Sequence, residues 1–313
     1  MPGSREPREI SAVFTNLTKE QEMGLRIFFK NLEFLLKRNI RKDYVSNRDL
    51  MNFLGELPYM LPYDLAHTRI PQIKSPEETI AALTGSGKSI ARFGDGEFMS
   101  MEETDIPFQK ADPQLARRLR EIFVSNDPNI LIGAPGCIFR MPINLSPHCQ
   151  IFLGLRGGNY RRQVLRFCDM EKTYYSTEFT QLYMTYENYD FDTYYQRIMK
   201  IWDQRDVTLI CGKGILDGLR HNIFANAKSL DFIYAPSRDA FFEYDSILER
   251  ARKISQDRMI IIILGPTATV LAYDLASEGY QALDFGHIAK DYNAWMEKQE
   301  RSDQNISKFF KPD

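Results

Sequence analysis

Short apolar runs alternate with longer amphipathic stretches over the last two thirds of the chain. Several runs are continuous rather than alternating, which is typical of strands that are buried on both faces of a sheet. Because stretches with helical spacing separate the runs, the pattern predicts an α/β fold with a mostly parallel, doubly wound, Rossmann-like sheet. The predicted strands lie at residues 129–133, 207–211, 232–235, 259–264 and 282–285, and the predicted helices at 111–124, 161–170, 194–204, 242–254 and 267–277.

The first part of the chain differs from the rest. Thr18 to Gln21 resembles a capping box, and it opens a basic amphipathic helix over residues 18–42. This helix can lie on a membrane surface or a partner protein, but packing on the main domain with its charges in solvent is favoured. A second strong helix start follows at Ser75-Pro76. We therefore predict three parts: a helical extension and linker over 1–73, a main domain over 74–300, and a polar tail over 301–313.

Composition limits the class of protein without naming its chemistry. The 313 residues carry a formal net charge of −2, so no bulk attraction to nucleic acid is expected. The longest apolar run, residues 259–264, is too short to cross a membrane, and the amino terminus lacks the apolar segment of a signal peptide. The four cysteines form no C-x-x-C pair. These features favour a cytoplasmic protein with reduced thiols, with peripheral membrane contact through residues 18–42 and a homo-oligomer left open.

The most informative motif follows the apolar run that begins at Ser89. The run stops at Gly94-Asp95-Gly96-Glu97, so two carboxylates lie two residues apart in what we predict to be a glycine-rich turn with access to positive φ. Carboxylates at this spacing can share Mg²⁺ or Mn²⁺ and leave positions open for substrate phosphates. A solvated acidic turn is the alternative interpretation. The motif therefore predicts a metal–diphosphate site at Asp95 and Glu97.

Four other strand ends carry groups that can bind phosphate or move protons. Lys213 follows one strand, Arg238 follows the next, and Thr267 and Thr269 begin a helix after a third. His287 follows the last strand and can orient substrate or act as a base. Each has a plainer interpretation as a tight turn, a surface ion pair, a helix cap or a hydrogen-bonded histidine. Because ligands bind beyond the carboxyl ends of parallel strands, we expect these residues to face one site.

The segment Thr84-Gly-Ser-Gly-Lys-Ser89 superficially matches a P-loop. The Walker pattern requires glycine at position 82, where this chain has Ala82. A P-loop also joins a strand to a helix, whereas this segment follows a predicted helix and precedes a predicted strand. We therefore predict a helix end and a turn here.

Taken in order, these motifs resemble the GT-D-fold glycosyltransferases, a family first described as a domain of unknown function in bacterial adhesin-glycosylation and surface-polysaccharide clusters. The resemblance covers residues 75–300. It is carried by five blocks: Arg92-Phe-Gly-Asp-Gly-Glu97, the strand ending near Gly212, Ala235-Pro-Ser-Arg-Asp-Ala-Phe241, Leu264-Gly-Pro-Thr-Ala-Thr269 with Leu271-Ala-Tyr-Asp-Leu275, and Asp284-Phe-Gly-His287.

The resemblance implies transfer of a hexose from a nucleotide-diphosphate sugar, commonly UDP-linked, to an acceptor glycan or glycoprotein. Asp95 and Glu97 match the family's D-x-E motif, which is associated with Mn²⁺ or Mg²⁺ and the donor diphosphate. Asp291 is the nearest match to a carboxylate of the family's terminal block, so Asp291 and His287 are the expected catalytic residues. The residues expected to bind the donor are Arg92, Gly94, Gly96, Lys213, Arg238, Thr267 and Thr269.

Two other classes of function stay open at this point. A nucleotide-binding hydrolase or phosphotransferase would use the same strand-end phosphate sites. A non-catalytic interaction module would use the basic amino-terminal helix as its binding surface.

Overall fold

The computed structural model describes Phe29, residues 69–139 and 144–301, and Phe309. The helix expected over residues 18–42 and the linker after it therefore lie outside the described residues, apart from the helical Phe29 and residues 69–73. The strands are β1 (Gln72–Ile73), β2 (Ser89–Arg92), β3 (Ile130–Ala134), β4 (Thr173–Ser176), β5 (Asp206–Gly212), β6 (Ser229–Ala235), β7 (Met259–Ile263) and β8 (Ala282–Asp284). The helices are α1 (Pro76–Leu83), α2 (Asp95–Met101), α3 (Pro113–Phe123), α4 (Pro147–Phe167), α5 (Leu182–Thr185), α6 (Phe191–Met199), α7 (Tyr244–Ala251), α8 (Pro266–Ser277) and α9 (Ile288–Met296).

The described strands form one sheet, in the order β1-β4-β3-β2-β8-β7-β5-β6. Every pair is parallel. The sheet grows outward from β2 through β3 and β4 on one side, and the later strands fill the other side. The first long strand, β2, therefore lies beside the last strand, β8, at the centre of the sheet. The predicted α/β class and parallel sheet are confirmed.

Continuous apolar runs form this sheet because helices cover both of its faces. In β7, Ile261 and Ile263 pack in the same cluster as Trp202, on the face covered by α1, α6 and α9. Ile260 and Ile262 point to the opposite face and pack against α7 and α8. Both sets are buried. A strand with no polar position is therefore stable only at the centre of such a sheet.

The helix starts follow local capping chemistry. At α1 the Ser75 hydroxyl accepts a hydrogen bond from the Glu78 backbone N–H at 3.2 Å, and the Glu78 carboxylate accepts one from the Ser75 N–H at 2.8 Å. This capping box was predicted from the sequence. Helix α1 ends at Leu83, and Gly85 and Gly87 then adopt positive φ before β2 begins. The P-loop-like segment is thus a helix end and a turn, as predicted.

Two connections differ from the prediction. The segment after β5, which includes Lys213, was expected to begin a helix, but the chain forms a series of turns from there to β6. Helix α4 was expected only from residue 161, yet it starts at Pro147 and is 21 residues long. Its cap, Ser146, accepts a hydrogen bond from the Cys149 N–H at 3.3 Å. The Ser-Pro pair that marks α1 also marks α4, so the signal for this start was present in the sequence.

Candidate active site

The Asp-Gly-Glu motif is the first turn of α2 and not the glycine-rich turn that the sequence predicted. Gly94 caps the helix with extended backbone, and its N–H donates a 2.7 Å hydrogen bond to the Glu97 carboxylate. Among the described residues, the positive-φ glycines do not include Gly94 or Gly96. The carboxylates of Asp95 and Glu97 therefore lie where the helix leaves its N–H groups unpaired, which stabilises negative charge.

A buried ion pair lies beneath this helix end. The Arg92 side chain of β2 and the Asp284 side chain of β8 approach to 3.6 Å between Nε and Oδ1. Asp284 also accepts hydrogen bonds from the Arg92 N–H at 3.2 Å, from the Thr269 hydroxyl at 3.1 Å and from the Gly286 N–H at 3.2 Å. These contacts fix the carboxyl ends of two central strands to the first turns of α8.

The same guanidinium extends across the sheet to the end of β4. Arg92 Nη1 donates to the Thr177 carbonyl at 2.9 Å and also contacts the Thr180 hydroxyl. Arg92 is only 9% exposed. It was predicted to bind the donor, but the structure shows that its hydrogen bonds go to the protein and hold three strand ends together.

The electrostatics of this cluster favour an added positive charge. Burial raises the pKa of Glu97 to about 7, and nearby Asp284 adds to the rise, while the Gly94 N–H and Arg92 oppose it. Burial likewise raises the pKa of Asp284 despite its contact with Arg92. Two carboxylates face one guanidinium, so the ionised cluster carries an excess negative charge. A proton on Glu97 or a bound cation would compensate that charge.

Asp95 lies at the open end of the helix, in a concave surface. The residue is exposed, yet the protein around it restricts solvent and raises the pKa of its carboxyl group, against the effects of the Gly96 N–H and Arg156. It lines a cavity of about 470 Å³ between α2 and α4. Of the two D-x-E carboxylates, Asp95 is therefore the one most open to a ligand.

A divalent cation fits this helix end only in part. Asp95 offers an open carboxylate, whereas Glu97 is already bonded to the Gly94 N–H. Across the described ranges, no three His, Cys, Asp or Glu side chains gather in a way that could hold a metal. A cation here would take its remaining oxygen ligands from substrate phosphates and water, which is how Mg²⁺ commonly binds in proteins.

The structure places Asp291 away from any open surface. It is fully buried in α9, and its carboxylate accepts hydrogen bonds from the Tyr183 and Met184 N–H groups, each at 3.0 Å, and from the Tyr195 hydroxyl at 2.5 Å. Burial raises the pKa of Asp291 to about 7. In this position it secures the start of α5 to α9.

His287 lies next to the site and is half-buried between two aromatic rings. Phe108 is 6.1 Å from it and Phe309 is 5.3 Å from it, measured between ring centroids. Burial lowers the pKa of His287 to about 3, and Arg92 and Lys290 lower it further. The imidazole is neutral at physiological pH, so it can form hydrogen bonds but is a weak base until negative charge arrives nearby. Phe309, in the segment predicted as a polar tail, is buried.

The other predicted donor-binding residues fall into two groups. Thr267 and Thr269 are fully buried in α8, whose cap is Gly265, so the alternative interpretation of Thr267 as the helix cap does not hold. Lys213 and Arg238 are exposed beyond β5 and β6, in the outer half of the sheet. At a strand spacing of about 4.8 Å, β5 lies roughly 14 Å from β2. The predicted groups thus line one edge of the sheet, but only some of them are open to a ligand.

Sequence reasoning missed the basic side of this region. Arg156, Arg162 and Arg166 of α4 line the same cavity as Asp95. Arg156 lies in the first half of α4, which was not recognised as a helix, whereas Arg162 and Arg166 lie in the predicted helix 161–170 but were not considered as ligands. An arginine recurring at intervals of six and four residues would have been visible once the helix start at Ser146 was identified.

The all-parallel sheet, with helices on both faces and polar groups at its carboxyl edge, defines a Rossmann-like α/β fold, in which ligands bind beyond the carboxyl ends of the strands. Residues 90–309 match the family model described as Glycosyltransferase GT-D fold. The chain belongs to this GT-D glycosyltransferase family.

Two curated relatives are similar over most of this chain. "Probable glycosyl transferase Gly" of Streptococcus gordonii is 31% identical over 226 residues, which are 72% of this chain and 33% of the relative. "Glycosyltransferase GlyD" of Streptococcus pneumoniae serotype 4 is 29% identical over 246 residues, which are 78% of this chain and 30% of the relative. The chain therefore spans about a third of the length of these relatives.

Solved structures share the fold. One described as a new glycosyltransferase from Streptococcus sanguinis has a TM-score of 0.70 at 28% identity. The match covers 78% of this chain and 95% of the chain in that structure. Another, described as a domain of unknown function with a distinct glycosyltransferase fold, has a TM-score of 0.69 at 29% identity. This match covers 73% of this chain and 82% of the chain in that structure. In the part of the chain that the structure describes, no helix is long and apolar enough to cross a membrane.

Proposed function

We propose that this chain transfers a hexose from a UDP-linked donor to an acceptor glycan or glycoprotein in surface-polysaccharide or adhesin glycosylation, and that Asp95 and Glu97 hold Mn²⁺ or Mg²⁺. The observation that carries the proposal is the position of these carboxylates in the first turn of α2, at the carboxyl end of a central strand. Membership of the GT-D family supports it. Glycosyl transfer breaks the bond between the anomeric carbon and a phosphate oxygen, and forms one to an acceptor oxygen.

In this proposal, different residues of the chain contact different parts of the donor. A bound cation would supply charge neutralisation for the departing diphosphate. Lys213 and Arg238 are placed to contact the nucleotide part of the donor, since both are exposed in the outer half of the sheet. Gly94 and Gly96 add no side chain to the start of α2, where a Cβ would stand 3.2 Å from Glu97 Oε2 and 3.3 Å from Ile106 Cδ1, respectively. His287, neutral at physiological pH, is available to hydrogen-bond the donor.

The Arg92–Asp284 pair has a positioning role in this proposal. It fixes the end of β2 from below, and the orientation of α2 depends on that end. Rigid support of this kind keeps the carboxylates in place when the donor binds and departs. The Thr269 hydroxyl contributes by bonding both the Arg92 carbonyl and Asp284.

The test is thermal unfolding of the full chain with UDP-glucose and other UDP-hexoses, with and without MnCl₂. A donor at about 100 times its Kd stabilises the folded state by about 2.7 kcal/mol, which raises Tm by roughly 4 °C in a protein of 313 residues. We expect Asp95→Asn to abolish the part of the shift that needs Mn²⁺. The matched control, Asp192→Asn, alters an exposed carboxylate in the first turn of α6 and should leave the shift unchanged.

Product analysis by mass spectrometry separates the competing classes. Release of the nucleoside diphosphate together with a glycosylated acceptor, or slow release of free hexose, supports glycosyl transfer. Formation of inorganic phosphate or a phosphorylated product without sugar transfer would indicate a hydrolase or phosphotransferase. If no nucleotide sugar shifts Tm and Asp95→Asn changes nothing, the proposal is wrong.

A further inference from the structure

A groove runs along α2, between this helix and the second half of α4. Its inner end is the cavity of about 470 Å³ that Asp95 lines. A second cavity of about 580 Å³ adjoins it, since Glu102 and Arg166 line both. Cavities of this size accommodate small molecules. Together they form one open groove that includes Asp95 of the candidate active site, and we call it the α2–α4 groove.

Basic side chains outnumber acidic ones along this groove. Asp95 and Glu102 are its carboxylates, and Glu102 is engaged by Gln163 Nε2 at 2.7 Å and by Arg166 at 3.5 Å. The guanidinium groups that line the two cavities are those of Arg120, Arg156, Arg162 and Arg166, of which Arg120 also pairs with Glu103 at 3.7 Å. Guanidinium groups bind carboxylates and phosphates through paired, directional hydrogen bonds. The groove therefore favours a ligand that carries negative charge.

The remaining groups of the groove suit a sugar. The ring of Phe152 is half-buried and stands edge-on to Tyr160, with 6.5 Å between the ring centroids. Asn159 and Gln163 also line the groove; the Asn159 side-chain oxygen accepts a hydrogen bond from Arg162, and Gln163 Nε2 donates one to Glu102. A side-chain amide can form further hydrogen bonds beyond one such contact. An apolar ring face beside amides matches a sugar ring with its hydroxyls.

The groove lies apart from the residues that are proposed to contact the nucleotide part of the donor. Helix α4 follows β3, which pairs with β2 on the side opposite β8. Lys213 and Arg238 lie on the other side, beyond β5 and β6. The groove runs along the seven residues of α2, a length of about 10 Å. A ligand in the α2–α4 groove thus reaches Asp95 from the side of the sheet opposite Lys213 and Arg238.

We propose that the α2–α4 groove binds the acceptor and that this acceptor is a glycan with a carboxylate or phosphate group. The inference rests on the proposed function, because it assigns the second substrate of the same site. The anionic group lies against the arginines of α4, and the hydroxyl that receives the hexose points to Asp95. In the transfer, that oxygen bonds to the anomeric carbon while the bond from this carbon to the diphosphate oxygen breaks. The nucleoside diphosphate leaves, and the hydroxyl proton passes to an oxygen of the departing diphosphate.

The experiment measures binding of three small probes to the full chain by ligand-observed NMR. Methyl β-glucuronide and glucose 6-phosphate carry the two anionic groups, and methyl β-glucoside is the neutral reference. We expect each anionic probe to bind about tenfold more tightly than the neutral one, and the preference to disappear in the double variant Arg156→Gln with Arg166→Gln. The control is Arg117→Gln, which alters an exposed arginine of α3 outside both cavities.

UDP affinity is measured in parallel with Mn²⁺ present. Unchanged UDP binding in the double variant, with the anionic preference lost, supports an acceptor site. A large loss of UDP affinity would place the donor diphosphate in the groove and overturn the inference, as would equal binding of neutral and anionic probes. Whichever anionic probe binds more tightly identifies the acidic group. If the wild-type chain binds no UDP and no UDP-hexose, the proposed function fails independently of the probe result.

Discussion

The backbone of Gly286 lies directly against the guanidinium of Arg92. A Cβ added at Gly286 would stand 1.9 Å from Arg92 Nη2, and the residue has a φ of +43°. Any side chain would have to displace the arginine that holds the ends of β2, β4 and β8. Glycine at this position therefore protects the geometry beneath the candidate active site.

We expect Gly286→Ala to lower the free energy of unfolding by about 2–4 kcal/mol, from overpacking and backbone strain together. Urea denaturation measures the change. The matched control is Gly85→Ala, where φ is +69° but nothing lies within 4 Å of the added Cβ. That variant should lose only about 1 kcal/mol, because strain is its sole cost. Equal effects at the two glycines would contradict the role given to Arg92.

Several residue roles could not be predicted from sequence, because burial decides them. Asp291 was chosen as a carboxylate near a strand end, which does not distinguish an open group from one enclosed by two backbone N–H groups and a tyrosine. Thr269 looked like an anion ligand, but its hydroxyl bonds the Arg92 carbonyl and Asp284. Asp95, in contrast, is exposed at this edge and lines a cavity, so its predicted role in binding a metal stays a prediction.

Among the elements of the fold, helix α2 is stabilised at its first turn by a carboxylate of its own, that of Glu97. Glu97 accepts a hydrogen bond from the Gly94 N–H while Asp284 and burial disfavour its charge. Because the pKa of Glu97 is raised to about 7, the folded state binds more protons than the unfolded chain between about pH 4.5 and 7. Protonated Glu97 therefore contributes to the stability of the folded state at low pH. This contribution is lost as the pH rises from about 4.5 through about 7.

We predict that Glu97→Gln removes this pH dependence. The amide carries no ionisable group, so the stability of the variant relative to the wild type should increase as pH rises from 5 to 7.5. The measurement is urea denaturation at several pH values in that interval. Asp291 also has a raised pKa and remains in both proteins, so its titration cancels in the comparison. A difference that stays constant with pH would show that Glu97 titrates normally.

The elements most visible in the sequence were those with continuous apolar runs or capping signals. The strands β3, β5, β7 and β8 lie within one or two residues of their predicted bounds, because burial on both faces excludes polar residues. Helix α2 was missed because Gly-Asp-Gly resembles a turn, and its helical state depends on packing against α3 and on the Glu97 cap. Strand β4 was missed because its sequence, Thr-Tyr-Tyr-Ser, is short and has polar residues at both ends. A turn can have the same composition.

At the scale of the whole molecule, stability should be highest at the centre of the sheet. Strand β7 is buried throughout and is paired on both sides, by β5 and β8. The two-residue β1 pairs only with β4 and is partly exposed. Opening of β7 therefore requires disruption of both helical layers, whereas β1 can detach locally.

We expect amide hydrogen exchange to follow this arrangement. Amides of Met259–Ile263 should exchange only through global unfolding, and those of Gln72–Ile73 should exchange much earlier. Hydrogen exchange followed by mass spectrometry measures both segments in one experiment. Strand β2, central but short, should resemble β7 rather than β1. Protection at β1 equal to that at β7 would contradict the proposed order of stability.

The pairing of Arg92 with Asp284 also has a consequence for synthesis of the chain. These partners lie 192 residues apart in sequence, and the strands that carry them are neighbours at the centre of the sheet. While the ribosome is still adding residues before β8, the first half of the sheet has a gap at its middle and Arg92 lacks its counter-ion. Contacts of such long range form late and slowly. A nascent or truncated chain that ends before Asp284 would therefore expose the edge of β2, and chaperones would have to shield it until the last strand is inserted.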